Sequence, residues 1–149
     1  MNDHILQNAW RLHQSGKFAE AARLYQEVLR MNPRHLGALQ MLGFLHFQRG
    51  EFADAERIME KAVKLDPKFA QAWYNLGLAY SALDKSELAL ESLVRAESLD
   101  ARSPQIPYAR ATILARLGRA SEARAAAQRA LELRPNYAEA EQLLRALGR

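Results

Sequence analysis

Four histidines, His4, His13, His35 and His46, are the side chains of this 149-residue chain best suited to move a proton or hold a metal near neutral pH. Their spacing serves neither purpose. His13 and His46 fall on neighbouring segments and can approach each other, but two imidazoles without a carboxylate scheme make a poor zinc-type site. The carboxylates are spread instead in helix-spaced pairs with bases, such as Glu20 with Arg23 and Glu27 with Arg30. Such pairs support a helix face; they do not set a general acid beside a general base. There is no cysteine, and therefore no disulfide, thiolate ligand or thiolate nucleophile. No glycine-rich phosphate loop, HExxH or nucleophile elbow occurs. The expectation is a non-catalytic chain with no metal and no cofactor.

The charge is unevenly placed. Residues 1–101 hold 12 Lys/Arg and 13 Asp/Glu, whereas residues 102–149 hold 9 Arg and 4 Glu, so the net +4 belongs to the last third. Those arginines are scattered among alanines rather than clustered, which reads as a solvated helix face and not as a nucleic-acid surface. The opening MNDHILQNAW has no basic region followed by an apolar run, and no stretch approaches the ~18 apolar residues of a membrane span. No nucleic acid and no membrane are expected as partners, and the expected location is cytoplasmic. The alanine- and arginine-rich last third suits a bacterial protein from a GC-rich genome.

The elements follow from a repeat. GKFAEA begins at Gly16, GEFADA at Gly50 and GRASEA at Gly118, with DKSELA at Asp84, so one phrase recurs every 34 residues. Rows of 34 starting at Asn2, Leu36, Ala70 and Pro104 align small residues in columns: Ala9, Gly43, Gly77, Ala111, and again Ala21, Ala55, Ala89, Ala123. Larger apolar residues flank them at spacings of three, four and seven, the signature of a helix face. Each row therefore holds two helices. Gly16, Gly50 and Gly118 stop the first with left-handed backbone, which Asp84 reaches less easily. Pro33, Pro67 and Pro135 stop the second.

Trp73 to Tyr80, WYNLGLAY, fits the pattern W-x2-L-G-x2-Y, with Ala89 at the matching offset; the second row supplies Leu39, Leu42, Gly43, Ala55, Ala62 and Pro67 in the same frame. The chain resembles the tetratricopeptide repeat family over about residues 2–137. The resemblance implies an all-α, right-handed superhelical α-solenoid of antiparallel helix pairs. It would form a single domain over 1–149, with repeats at about 2–35, 36–69, 70–103 and 104–137. A capping helix over about 137–147 brings the total to about nine helices. That cap would bury Tyr137, Ala140, Leu143, Leu144 and Leu147. No separate cap precedes the first row, so the first helix is expected to be the least stable element.

In related arrays the fifth, ninth, twelfth and thirteenth places of each repeat face a concave groove. Those places here hold Leu6, Trp10, His13 and Gln14; Gln40, Phe44, Phe47 and Gln48; Tyr74, Leu78, Ser81 and Ala82; Tyr108, Thr112, Ala115 and Arg116. Aromatics with an amide rim suit peptide binding. Trp10, Phe44, Phe47, Tyr74 and Tyr108 are the candidate anchors, with Gln40, Asn75 and Arg116 for backbone or a carboxylate. The competing expectation is that Trp10 and Phe44 pack on each other as core between rows, with Phe47 folded beneath them. The carboxylate clamp of co-chaperone relatives is absent, since its places are Leu6, Trp10, Met41, Gln71 and Asn75, none of them basic. The asparagine ladder of a glycosyltransferase relative is partial, with Gln7 and Asn75 but also Met41 and Ala109.

Row four departs from the pattern. Pro107 stands where Ile5, Leu39 and Trp73 stand, Arg110 takes an apolar place, and row three ends in Ala101 without its proline. A locally irregular junction over 101–107 is expected. The resemblance implies a scaffold that binds a peptide segment of a protein partner in its groove. Two other readings stand beside it: the substrate-recruiting region of a larger enzyme, such as a glycosyl- or sulfotransferase, and a self-associating module.

Overall fold

The computed structural model describes residues 2–148. Among them are nine α-helices and no strand: α1 (Asn2–Gln14), α2 (Phe18–Met31), α3 (Leu36–Gln48), α4 (Phe52–Leu65), α5 (Ala70–Ala82), α6 (Ser86–Leu99), α7 (Gln105–Arg116), α8 (Ala120–Leu133) and α9 (Ala138–Ala146). Each odd helix packs on the even helix that follows it, and each even helix on the next odd one, giving an all-α solenoid. Neighbouring odd helices also touch, α3 with α5 and α5 with α7, so they share one face.

The hairpin turns are alike. Gly16, Gly50 and Gly118 have φ of 79°, 77° and 77°, and Asp84 reaches 60° at the same place. The next residue closes the helix end: the amides of Lys17, Glu51, Lys85 and Arg119 donate to the carbonyls of Leu12, His46, Tyr80 and Leu114 at 2.8–2.9 Å. This is the glycine-type helix stop, in which the amide of the residue after the left-handed one, three past the helix, satisfies an orphan carbonyl.

The turns between rows depend less on proline than the sequence suggests. Asn32, Asp66 and Asp100 each accept, through the side-chain oxygen, the amide two residues ahead, at 3.1, 3.1 and 3.2 Å. That side-chain turn mimics a backbone turn. Asp100 makes it without a following proline, so the irregularity expected at the 101–107 junction is confined to the start of α7. Its difference is a start one residue later. Pro104 takes the cap position of α7, and the fully buried Pro107 falls in the first turn, where no intrahelical donor is lost.

Pairs of helices approach closely through the small columns. A Cβ at Gly43 would stand 2.2 Å from Met59 Cε, and one at Gly77 would stand 2.8 Å from Leu93 Cγ. Alanine fills the same column in rows one and four. Between rows, Leu29 and Leu42, then Val63 and Leu76, occupy equivalent places in one apolar core. The third interface replaces that apolar pair with Glu97 and Arg110, whose guanidinium donates to both carboxylate oxygens at 2.9 and 3.3 Å. Arg110 therefore keeps a charge in an apolar column because its partner column changed with it.

Both ends of the stack are finished by polarity. The places that bury Ala38, Leu42 and Leu45 in row two hold exposed His4, Asn8 and Arg11 in α1. In α9 and its flanking residues, Tyr137, Ala140 and Leu144 are buried, Leu143 and Leu147 half-buried, and the exposed Arg145 pairs with Glu141 at 3.6 Å. Arg124 of α8 ties down the end of α9 by donating to the Leu147 carbonyl at 3.1 Å.

Candidate functional site

The odd helices have apolar residues on two faces. One face packs against the even helices; the other lies on the surface the odd helices share. LGALQMLGFLHFQ and AQAWYNLGLAYSA, α3 and α5, show this most fully. A helix apolar on nearly all sides needs a second covering, and the shared face supplies only part of one.

Trp10 is the most open aromatic there, at 39% exposed. With Leu6, Gln7, Gly37 and Met41 it lines an apolar pocket of about 230 Å³ between α1 and α3. Leu6, Gln40, Phe44, Phe47, Tyr74, Leu78, Tyr108 and Thr112 are half-buried, and Arg116 is exposed. His13 and Asn75 lie deeper, at 4% and 6% exposed, and form the floor.

His13 is a packing and hydrogen-bonding centre. Its Nδ1 is 3.1 Å from the Tyr25 hydroxyl and its Nε2 is 2.5 Å from Gln48 Oε1. Since Gln48 Oε1 only accepts, Nε2–H donates and Nδ1 accepts from Tyr25. Burial pushes the Tyr25 phenol up to about 12. Trp10 and Phe44 meet the imidazole at 5.3 and 5.7 Å between ring centres, so His13 links the two aromatics. Phe47 packs instead on Phe52 of α4, at 5.2 Å.

The other half of the face is built from tyrosines and amides. Tyr108 meets Tyr137 at 5.0 Å, and the Arg134 guanidinium lies over Tyr137 at 4.9 Å. Burial first, then the neighbouring phenol of Tyr137, raises the Tyr74 hydroxyl; burial first, then Tyr108, raises that of Tyr137. Gln71 donates to Asn75 Oδ1 at 3.1 Å, while the buried Asn75 Nδ2 has no hydrogen-bond partner among the described residues. Gln71, Tyr74, Asp100, Ser103, Gln105 and Ile106 line a cavity of about 280 Å³ between α5 and α7. Tyr137 reads in sequence only as part of the cap. Its signal was its column, the residue that ends each row, shared with His35, Phe69 and Ser103.

Arg116 donates to Ser81 Oγ at 2.8 Å and has no carboxylate partner among the described residues. Most other arginines of the last third are engaged within the fold: Arg110 with Glu97, Arg119 with Glu122 and Glu87, Arg129 with Glu132. Among the described residues one group combines metal-ligand types, His46, Glu51 and Asp54, with ligand atoms within 4.8 Å of one another. His46 bonds Glu51 at 3.0 Å, and Arg49 and Arg57 lie 3.4 Å from Glu51 and Asp54, so the group is built as an ion-pair network at the α3–α4 turn.

The sequence profile of the tetratricopeptide repeat family matches residues 12–76 and 46–113, and a second profile of the same description matches 106–137. A comparison with curated protein sequences gives no match. Among solved structures, MamA is similar at 27% identity, covering 93% of this chain and 81% of its own, with a TM-score of 0.88. The Yersinia enterocolitica type III secretion chaperone SycD, solved with a peptide of the translocator YopD, is similar at 25% identity, covering 76% of this chain and 92% of its own, with a TM-score of 0.73. YrrB, described as having an unusual peptide-binding site, is similar in fold at 22% identity, covering 96% of this chain and 74% of its own, with a TM-score of 0.81. No helix among the described residues is long and apolar enough to cross a membrane.

Proposed function

Because the chain belongs to the tetratricopeptide repeat family, we propose that it is a non-catalytic scaffold that holds a peptide segment of a protein partner against the face shared by α1, α3, α5 and α7. The observation that carries this is the open apolar pocket at Trp10. An indole 39% exposed beside Leu6 and Met41 leaves large apolar area in water. Folded proteins seldom keep such area without a use for it. Aromatic anchors give a binding face much contact area at low entropic cost, and the surrounding amides orient a peptide backbone. The peptide-bound relative SycD supports the same reading. A segment that orders on binding loses part of its interaction energy, which sets the expected affinity on the order of micromolar.

The test is to select peptides from a random library on the immobilised chain and to measure their affinity for a Phe44→Ala/Tyr74→Ala variant. The proposal expects at least a tenfold loss, with helicity by circular dichroism unchanged. Selected peptides that bind both proteins equally would place the site elsewhere.

A further inference from the structure

The polar ends of the aromatic side chains divide into two sets. Beneath or away from the groove they are engaged: the Tyr25 hydroxyl, under the Trp10 pocket, with His13, Trp73 Nε1 donating to the Pro67 carbonyl at 2.8 Å, the Tyr80 hydroxyl donating to Glu60 at 2.9 Å. On the groove, the Tyr74 and Tyr108 hydroxyls have no hydrogen-bond partner among the described residues, and neither has the buried Asn75 Nδ2. Aromatic polar ends usually find partners when they are covered, and a buried amide without one is costly. Each of these free groups can donate a hydrogen bond, and all three side chains are half-buried or more before any ligand arrives.

The complement is defined by charge and by donor count. Between Asp100, just before α7, and Arg116, at its end, the groove residues Gln71, Tyr74, Asn75, Leu78, Tyr108 and Thr112 across α5 and α7 carry no formal charge. A matching segment is uncharged, offers acceptors and has few donors of its own. Proline removes the backbone N–H. A polyproline II helix has no internal hydrogen bonds and leaves its carbonyls open to solvent. Spacing agrees with chemistry. Tyr74 and Tyr108 hold the same place in successive rows, 34 residues apart, on helices that touch. Packed helices lie about 8–10 Å apart, and polyproline II repeats its face every three residues, or about 9 Å. Aromatic-lined grooves dock proline-rich segments in this manner.

The geometry points to a proline-rich, uncharged segment in polyproline II form as the occupant of the groove across α5 and α7. Successive turns of the segment lie on Tyr74 and Tyr108, and its carbonyls accept from their hydroxyls and from Asn75 Nδ2. This rests on the peptide-groove reading and narrows it to one ligand class.

The probes are decaproline, a glycine–serine peptide of equal length, and the library-selected peptides, each titrated into the ¹⁵N-labelled chain. The expected result is that decaproline binds and the glycine–serine peptide does not, with the Asn75 side-chain NH₂ signals moving as they gain an acceptor. Tyr74→Phe/Tyr108→Phe, which keeps both rings, then weakens decaproline about fivefold to tenfold. If selected peptides bind the groove and decaproline does not, the ligand class is overturned while the groove reading stands. If decaproline binds but the Asn75 signals stay fixed and the tyrosine variant binds as tightly, the assigned contacts are overturned. If neither decaproline nor any selected peptide binds at the odd-helix face, both readings fall.

Discussion

At the scale of single residues, His13 and Tyr25 show how a groove floor is made rigid. An imidazole among aromatic rings would be an unsatisfied polar group; here both its nitrogens are engaged, by Tyr25 and Gln48. Tyr25→Phe leaves His13 Nδ1 without its donor in a buried site, so a loss of about 1–3 kcal/mol is expected in urea unfolding. The same phenol gives a pH dependence. Tyr25 is raised by burial from 10.0 to about 12 in the fold. Its contribution is fully present below pH 10 and is lost as pH rises through that window, because the unfolded chain releases the proton first. Burial raises Tyr74, Tyr80 and Tyr137 in the same direction. Thermal melts should fall steeply above pH 10, and less steeply in Tyr25→Phe. Gly77 is a second residue-level test. A methyl there meets the branched Cγ of Leu93 at 2.8 Å and the Ala89 carbonyl at 3.3 Å, whereas at Gly43 the closest contact is the flexible tip of Met59. Gly77→Ala should cost about 1–3 kcal/mol through overpacking. Gly43→Ala should cost less, since Met59 can turn aside while alanine favours the helix.

At the scale of elements, the interface between α6 and α7 carries its own experiment. Glu97 and Arg110 stand where Val63 and Leu76 stand one row earlier, and both are about one-quarter exposed. Arg110→Leu alone strands a half-buried carboxylate and should cost about 1–3 kcal/mol. Glu97→Val with Arg110→Leu rebuilds the apolar pair of the preceding interface and should restore stability to wild type or above. A double variant as unstable as the single one would show that the ion pair is required for this junction. The helices and their turns were legible in the sequence because glycine, proline and small residues act on the backbone locally, wherever they occur. The Glu97–Arg110 exchange was half legible: Arg110 stood out in its column, but Glu97 lies 13 residues away, and only packing shows that the two compensate. The irregular junction at 101–107 was legible as a later start of α7, but the side chain that makes its turn was not. Proline was weighed as the turn-former, while the Asp100 side chain makes the turn. Among the odd helices, α1 buries only Ala9 and His13 and α9 only Ala140 and Leu144, so the amides of these two end helices should exchange with deuterium faster than those of α3, α5 and α7 in native-state hydrogen exchange.

At the scale of the whole molecule, the solenoid puts four odd helices on one face and spends charge on the others. Column position predicted which residues would reach that face, but not how deep each would sit. Depth depends on what fills the next row: His13 is covered by Phe44 and Gln48, whereas Trp10 keeps its edge in water. The lone buried donor of Asn75 was likewise invisible in the sequence, because its partner count is a property of the packed groove. The most direct measurement is backbone chemical-shift mapping of the chain with a library-selected peptide. The account predicts shifts concentrated in α1, α3, α5 and α7, centred on Trp10, Phe44, Tyr74 and Tyr108. Shifts concentrated instead on the outer sides of α2, α4, α6 and α8 would contradict it.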